Sequence, residues 1–305
     1  MPRHCTGYFC ALLGLLALPL EAQLSDWQIG GRFQFQAFDS SASPADVLVR
    51  RARYWSDGKI HPKINVRLQY ELHPDPGWWD YYVGFHPTKN LELRAGQSFL
   101  PFIADWTVGP WFLDTIDFPA GTSLMPPRER GVFLIGNRGD LTYNLSVVNG
   151  NGFAKDENSH KDVYGFIKTP LGSKRARLGV AYYEGRDGPN GALTIERRAA
   201  ADLAFELHKL LTLKAAYIRG RDGNVNADAA WFRSLVHVHD KVTLVAEYDT
   251  FVQGPLHQKW FDAGVNFDIW RDNSNIKIHY RRFYRPTTFD EIKIQLQIFP
   301  IFRWR

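Results

Sequence analysis

From about Trp27 to Phe299 the chain is a succession of segments that alternate strictly between apolar and polar residues, with short turns between them. The clearest is 63–72 (KINVRLQYEL), where Ile64, Val66, Leu68, Tyr70 and Leu72 fall on one face of a strand. Lys63, Asn65, Arg67, Gln69 and Glu71 fall on the other, because successive side chains of a strand point to opposite faces. One such strand also suits a soluble sandwich. Many long ones in series, with aliphatics and Tyr on one face and charges on the other, suit a closed barrel in lipid. There the outer face meets hydrocarbon and the inner face meets water.

The beginning of the chain fits export. Arg3 precedes an apolar run, 9–20 (FCALLGLLALPL), and Leu20-Glu21-Ala22 ends in a small residue. The run is too short to span a bilayer as a helix, so 1–22 reads as a signal peptide and 23–305 as one barrel domain. Both cysteines, Cys5 and Cys10, lie in that segment, so the exported chain has no disulfide framework and no thiolate chemistry. Beyond residue 22 no apolar run reaches the roughly 18–20 residues a spanning helix needs. The net charge of +5 survives cleavage, since Arg3 and Glu21 leave together. Basic residues are scattered singly over polar strand faces, with Arg50-Arg51-Ala52-Arg53 the nearest thing to a cluster, which argues against nucleic acid as a partner.

Sixteen strands are expected: near 28–38, 47–55, 62–72, 79–86 and 90–98, then 131–137, 140–149, 162–169, 176–185 and 196–207, and finally 211–220, 229–239, 241–252, 259–269, 275–284 and 290–299. Strand 47–55 carries arginines on both faces and 131–137 is short, so the range is 14–16. In physical terms the lipid-facing set includes Ile64, Val66, Leu68, Ile292, Ile294 and Leu296. A barrel of this size is wide enough to leave an aqueous channel.

The interruption is Phe99 to Arg130, which has no period of two, several prolines and a heavy apolar load. Long loops in compact domains are usually functional. Trp106, Trp111, Phe112 and Leu113 are best accommodated against the inner wall of a wide barrel, as a constriction loop. The other arrangement is an external loop whose aromatics touch lipid or a neighbouring subunit.

Arg50-Arg51-Ala52-Arg53 before Gly58, then 93–102 (LRAGQSFLPF), Glu129-Arg130-Gly131-Val132, Tyr143, Asn149-Gly150-Asn151-Gly152 and Thr169-Pro170 follow in an order that resembles the phosphate-selective porin O and P family. The resemblance spans roughly 28–185. It implies a 16-stranded porin of the bacterial outer membrane, commonly homotrimeric, whose partners are outer-membrane lipid and small anionic solutes such as phosphate. Two features depart from the family pattern. The chain is short, so external loops must be trimmed. The family's chains usually end in an aromatic residue, whereas this one ends Phe302-Arg303-Trp304-Arg305, leaving Trp304, or Phe299 as runner-up, for that role.

Selectivity in a pore comes from its radius and from the charges at its narrowest point. Inward-facing bases (Arg32, Arg51, Arg53, Lys63, Arg67, Arg94, Lys214, Lys277, Arg281, Lys293) nearly balance inward-facing acids (Glu71, Asp80, Glu92, Asp202, Glu206, Glu247, Asp249, Asp262, Asp268). The best local excess, and the expected anion-binding set, is Arg51, Arg53, Arg67 and Arg94, with Arg128 and Arg130 after the loop. No enzyme is expected. His237-x-His239 lacks a third metal ligand, and neither a Gly-x-Ser-x-Gly elbow nor a phosphate-binding glycine loop is present. No cofactor is called for. An alternative function is a sleeve around a periplasmic redox partner, any haem arriving on that partner because the chain has no Cys-x-x-Cys-His.

Overall fold

The computed structural model describes residues 25–103, 105, 109–125, 128–269 and 274–304. The expected signal peptide, 1–22, and Trp106 of the expected constriction loop lie outside the described residues.

The strands are β1 (Ser25–Ser40), β2 (Ser43–His61), β3 (Ile64–His73), β4 (Gly77–Thr88), β5 (Leu91–Phe99), β6 (Arg128–Arg138), β7 (Leu141–Val148), β8 (Asp162–Leu171) and β9 (Ser173–Asp187). They continue with β10 (Thr194–His208), β11 (Leu211–Asp222), β12 (Val225–His239), β13 (Val242–Gln253), β14 (Leu256–Asp268), β15 (Asn275–Arg285), β16 (Phe289–Ile298) and β17 (Ile301–Trp304). From β1 to β16 each pairs antiparallel with its sequence neighbours. β1 closes the sheet, pairing with β2 on one side and with β16 and then β17 on the other. Pro300, which has no N–H to give the ladder, separates β16 from β17, and its carbonyl accepts from Gly31 N at 3.0 Å. β16 and β17 are therefore one stave. The result is a closed barrel of sixteen staves, the upper end of the expected range.

Closure matters because an open sheet edge in hydrocarbon leaves unpaired backbone groups at several kcal/mol each. The alternation has the expected sense. On β3, Leu68 is 43% exposed on the outer wall while the next residue, Gln69, is 1% exposed inside. On β16, Ile292 and Ile294 are exposed and Gln295 is fully buried.

Two details of the strands differ from the sequence-based expectation. Arg50 and Arg51 do not split between faces: a β-bulge between the pairs Gln34–Arg51 and Phe35–Val49 lets both reach the lumen. Arg50 there meets Asp117, and Arg51 donates to Gln34 at 3.0 Å. Phe299 is not a terminal aromatic facing lipid. It is 6% exposed and points inward, its ring 6.5 Å from that of Trp55, because it continues the inward parity of Gln295 and Gln297 on β16.

Turns at one end, among them Gly139 (φ 62°) and Gly172 (φ 73°), are tight and use the left-handed conformation that glycine adopts freely. The longer connections, 100–127 and 149–161, lie at the opposite end. In outer-membrane barrels that is the extracellular side.

Candidate functional site

The long connection leaves β5 and enters the lumen. Leu100, Phe102, Ile103, Leu124 and Met125, all at most 4% exposed, pack on inward-facing Phe133, Tyr164, Tyr183, Ile218 and Trp231 of β6–β12. Fully burying a large apolar side chain is worth about 1.5–3 kcal/mol, so this load draws the loop inside the barrel. A short 3₁₀ turn, Ala120–Leu124, lies on β12 so closely that a Cβ on Gly121 would stand 2.4 Å from that of Ala229. Of the expected constriction residues, Trp111 is 1% exposed beneath the loop and Phe112 is 41% exposed at its edge.

Three loop carboxylates clasp the far wall. Asp105 accepts from Arg233 at 2.6 Å. Asp114 binds Lys214 at 2.7 Å and Arg233 at 2.8 Å. Asp117 gathers Arg50, Arg281 at 3.0 Å and Lys293 at 2.9 Å. Burial by itself would raise the pKa of Asp117, but Arg50, Arg281 and Lys293 overcome that and hold it well below the usual carboxylate range. Wall side chains also take loop carbonyls: Gln297 donates to Trp111 O at 2.8 Å, Lys277 to Thr115 O at 3.1 Å and Asn266 to Asp114 O at 2.6 Å.

This clasp answers the near balance of charges counted along the sequence. Lys214, Lys277, Arg281 and Lys293 are all engaged by the loop, and Glu247 and Asp262 are paired with Arg233 and Arg281 beneath it. What stays open is the wall of β1–β6. Between that wall and the loop segment Gly109–Trp111 lies a cavity of about 200 Å³, lined by Arg32, Arg53, Arg67, Arg94 and Arg128 with Asp80. A wider vestibule of about 470 Å³ adjoins it and shares Tyr82.

Four of the six arginines singled out in the sequence, Arg53, Arg67, Arg94 and Arg128, line this cavity. Arg51 stands behind them, bound to Gln34, whose amide in turn donates to Pro110 O at 3.3 Å. Arg130 is not in the group. It alternates with buried Glu129 and shares its strand face with Val132, which is 58% exposed. Arg32 was legible only as one inward base among ten. Nothing local marks it, because the rings that surround it come from β2, the loop and the end of β16. Of the two histidines, His237 sets its ring nitrogens against the hydroxyls of Thr212 and Thr243, at 3.3 and 3.1 Å.

The guanidinium groups are held over aromatic rings. Arg53 lies 3.7 Å from the centre of Trp79, Arg94 3.9 Å from Tyr82 and Arg128 4.6 Å from Trp79. Such stacking fixes the planar cation while leaving its in-plane N–H groups to hydrogen-bond. Glu71 takes Arg53 at 2.7 Å, Glu92 takes Arg94 at 2.9 Å, and Asp80 takes Arg128 at 2.8 Å.

No family model and no curated protein matches this chain. Solved structures do. An anion-selective porin from Comamonas acidovorans superposes with a TM-score of 0.69 at 10% identity, covering 92% of this chain and 100% of that one. OmpF of Salmonella typhi, solved in complex with daunomycin, gives 0.67 at 10% identity, covering 90% and 97%. The trimer form of OmpT, an outer membrane protein of Vibrio cholerae, gives 0.67 at 10% identity, covering 90% and 99%. The chain has the fold of the bacterial outer-membrane porins. At this identity the likeness speaks to fold alone, and the finer resemblance to the phosphate-selective porin O and P family is matched by no family model.

Proposed function

We propose that the protein is a porin of the bacterial outer membrane that passes small solutes with a preference for anions and carries out no covalent chemistry. The observation that carries this is the sorting of charge inside the barrel. Five arginines line the space between the inserted loop and the β1–β6 wall, four of them paired with carboxylates and Arg32 with none, while the loop covers and neutralises the bases opposite. A fixed positive charge in a narrow passage with low-dielectric walls concentrates anions, whereas in open water it is screened within about 8 Å at physiological salt. Phosphate belongs to this reading only as one candidate anion. A homotrimer is part of it too, in line with the trimer form of the OmpT neighbour.

The sleeve reading is not favoured. The lumen that a redox partner would need holds the described residues between 100 and 125 of the chain itself, packed on β6–β12 and clasped to β11–β16. The decisive test is planar-bilayer recording of the purified protein in a KCl gradient. Discrete channels with a reversal potential on the chloride side support the proposal; a barrel that inserts without conducting, or conducts with cation preference, overturns it.

A further inference from the structure

We infer that Arg32 is the seat of a binding site for small, singly charged anions within the channel. The inference rests on the porin reading for how solutes reach the site, and on independent features for the site itself. Alternation along β1 turns Arg32 inward, directly opposite Arg53 on β2. Each of the other four arginines of the cavity has a carboxylate partner: Glu71 for Arg53, Asp80 and Asp57 for Arg67, Glu92 for Arg94 and Asp80 for Arg128. Arg32 has none among the described residues. Its guanidinium carbon is instead enclosed by the rings of Phe299, Trp111, Phe112 and Trp55, whose centres lie 4.4, 5.5, 5.6 and 6.0 Å away.

The hydrogen-bonding inventory points the same way. Arg32 Nε is buried without an acceptor. Gln69 Nε2 and Trp111 Nε1, on residues each 1% exposed and lining the same cavity, also lack acceptors. The other end of Gln69 is already taken, since Arg67 donates to its Oε1 at 2.8 Å. Three N–H groups on residues that line the cavity thus lack a protein acceptor, while the lining carboxylate, Asp80, is taken by Arg67 and Arg128. Buried donors in native proteins normally have acceptors, and an anion in the cavity would supply them.

Charge sets the class of ligand. Of the five arginines in the lining, four are paired with Glu71, Asp80, Glu92 and Asp57, so the one charge in the lining without a carboxylate is that of Arg32, with Arg51 behind it bound to Gln34. A halide or a formate- or acetate-like carboxylate neutralises it. A phosphate dianion overshoots it, and its second charge meets the four carboxylates at close quarters. The space, about 200 Å³, holds on the order of six or seven waters, enough for such an anion with part of its hydration shell.

Iodide is a suitable probe because it is a monoanion that quenches tryptophan emission on contact. In detergent-folded protein, wild type should show a saturable quenching component from Trp55 and Trp111 above the linear quenching of exposed Trp78. Arg32→Gln should lose that component. Arg197→Gln, which removes the same charge from the outer wall, should keep it. Acetate should displace iodide from wild type at a lower concentration than phosphate at pH 8. In bilayers Arg32→Gln should lower the chloride-to-potassium permeability ratio about fivefold, the weight of one unit charge at roughly 4 Å even in bulk water. Saturable quenching that survives in assembled Arg32→Gln overturns the inference, as does phosphate displacing iodide more readily than acetate. That competition uses wild type only, so it decides even where the variant fails to assemble. Arg32-dependent quenching in a barrel that does not conduct would leave the site standing and sink the porin reading instead.

Discussion

Arg32 and Arg53 occupy one cross-strand position, two arginines directly paired on β1 and β2. Like charges so placed repel, and the barrel offsets this differently for each. Glu71 and the face of Trp79 take up Arg53, whereas rings alone surround Arg32. The asymmetry turns a stretch of paired charge on the lumen wall into a locally positive one.

Selectivity should respond to which face an arginine occupies. Arg94→Glu replaces a cavity-lining cation by an anion, and the reversal potential in a KCl gradient should move toward cation preference. Arg130→Glu makes the same charge change outside the cavity and should move it far less. Equal shifts from the two would mean that the cavity does not set selectivity.

The outer wall should tolerate no charge near mid-membrane. Leu68→Arg or Ile294→Arg, at positions 43% and 45% exposed to lipid, should destabilise the barrel by about 2–4 kcal/mol in urea titrations in lipid vesicles. A variant as stable as wild type would place that residue away from the hydrocarbon.

Asp117 is the point at which three cations meet the loop. In Asp117→Asn, Arg50, Arg281 and Lys293 confront one another without their shared counter-charge. Removing one partner from a buried ion cluster typically costs about 3–5 kcal/mol, and the residual exposure of Asp117 puts the expectation at the lower end. Limited proteolysis of the assembled barrel should then cut between residues 105 and 125, where wild type resists.

The same carboxylate fixes a pH window. Its folded-state pKa lies well below its ordinary value, so its contribution to stability is present above the unfolded pKa of about 3.9 and is lost as pH falls through the folded value. Protease resistance of the loop should therefore persist down to about pH 4 and fail only in stronger acid. Loss between pH 5 and 6 would mean that another group holds the loop.

Deleting residues 104–122 should raise single-channel conductance while the barrel still assembles, since closure depends on strand pairing and not on the loop. The shortened protein should also melt earlier, because Ile103, fully buried in wild type, and its neighbours lose their packing partners. Unchanged conductance in a well-assembled deletion would show that the loop does not limit flow.

The sequence alone determined the barrel, because lipid outside and water inside impose a period of two that survives along every stave. For Phe99 to Arg130 the apolar load favoured the lumen over an external loop, and the packing of Leu100, Phe102 and Ile103 on the inner wall decided between them. Parity assigned most side chains to a wall, Arg32 included. Only the tertiary structure decided which inward charges remain uncompensated. That depends on the bulge at Arg50, which moves a side chain between faces, and on the landing of Asp105, Asp114 and Asp117 on strands more than a hundred residues away. Alternation is a local property of the chain. Which arginine is left without a carboxylate is settled by contacts between segments remote in sequence, and the near-equal lists of inward acids and bases carry no record of them.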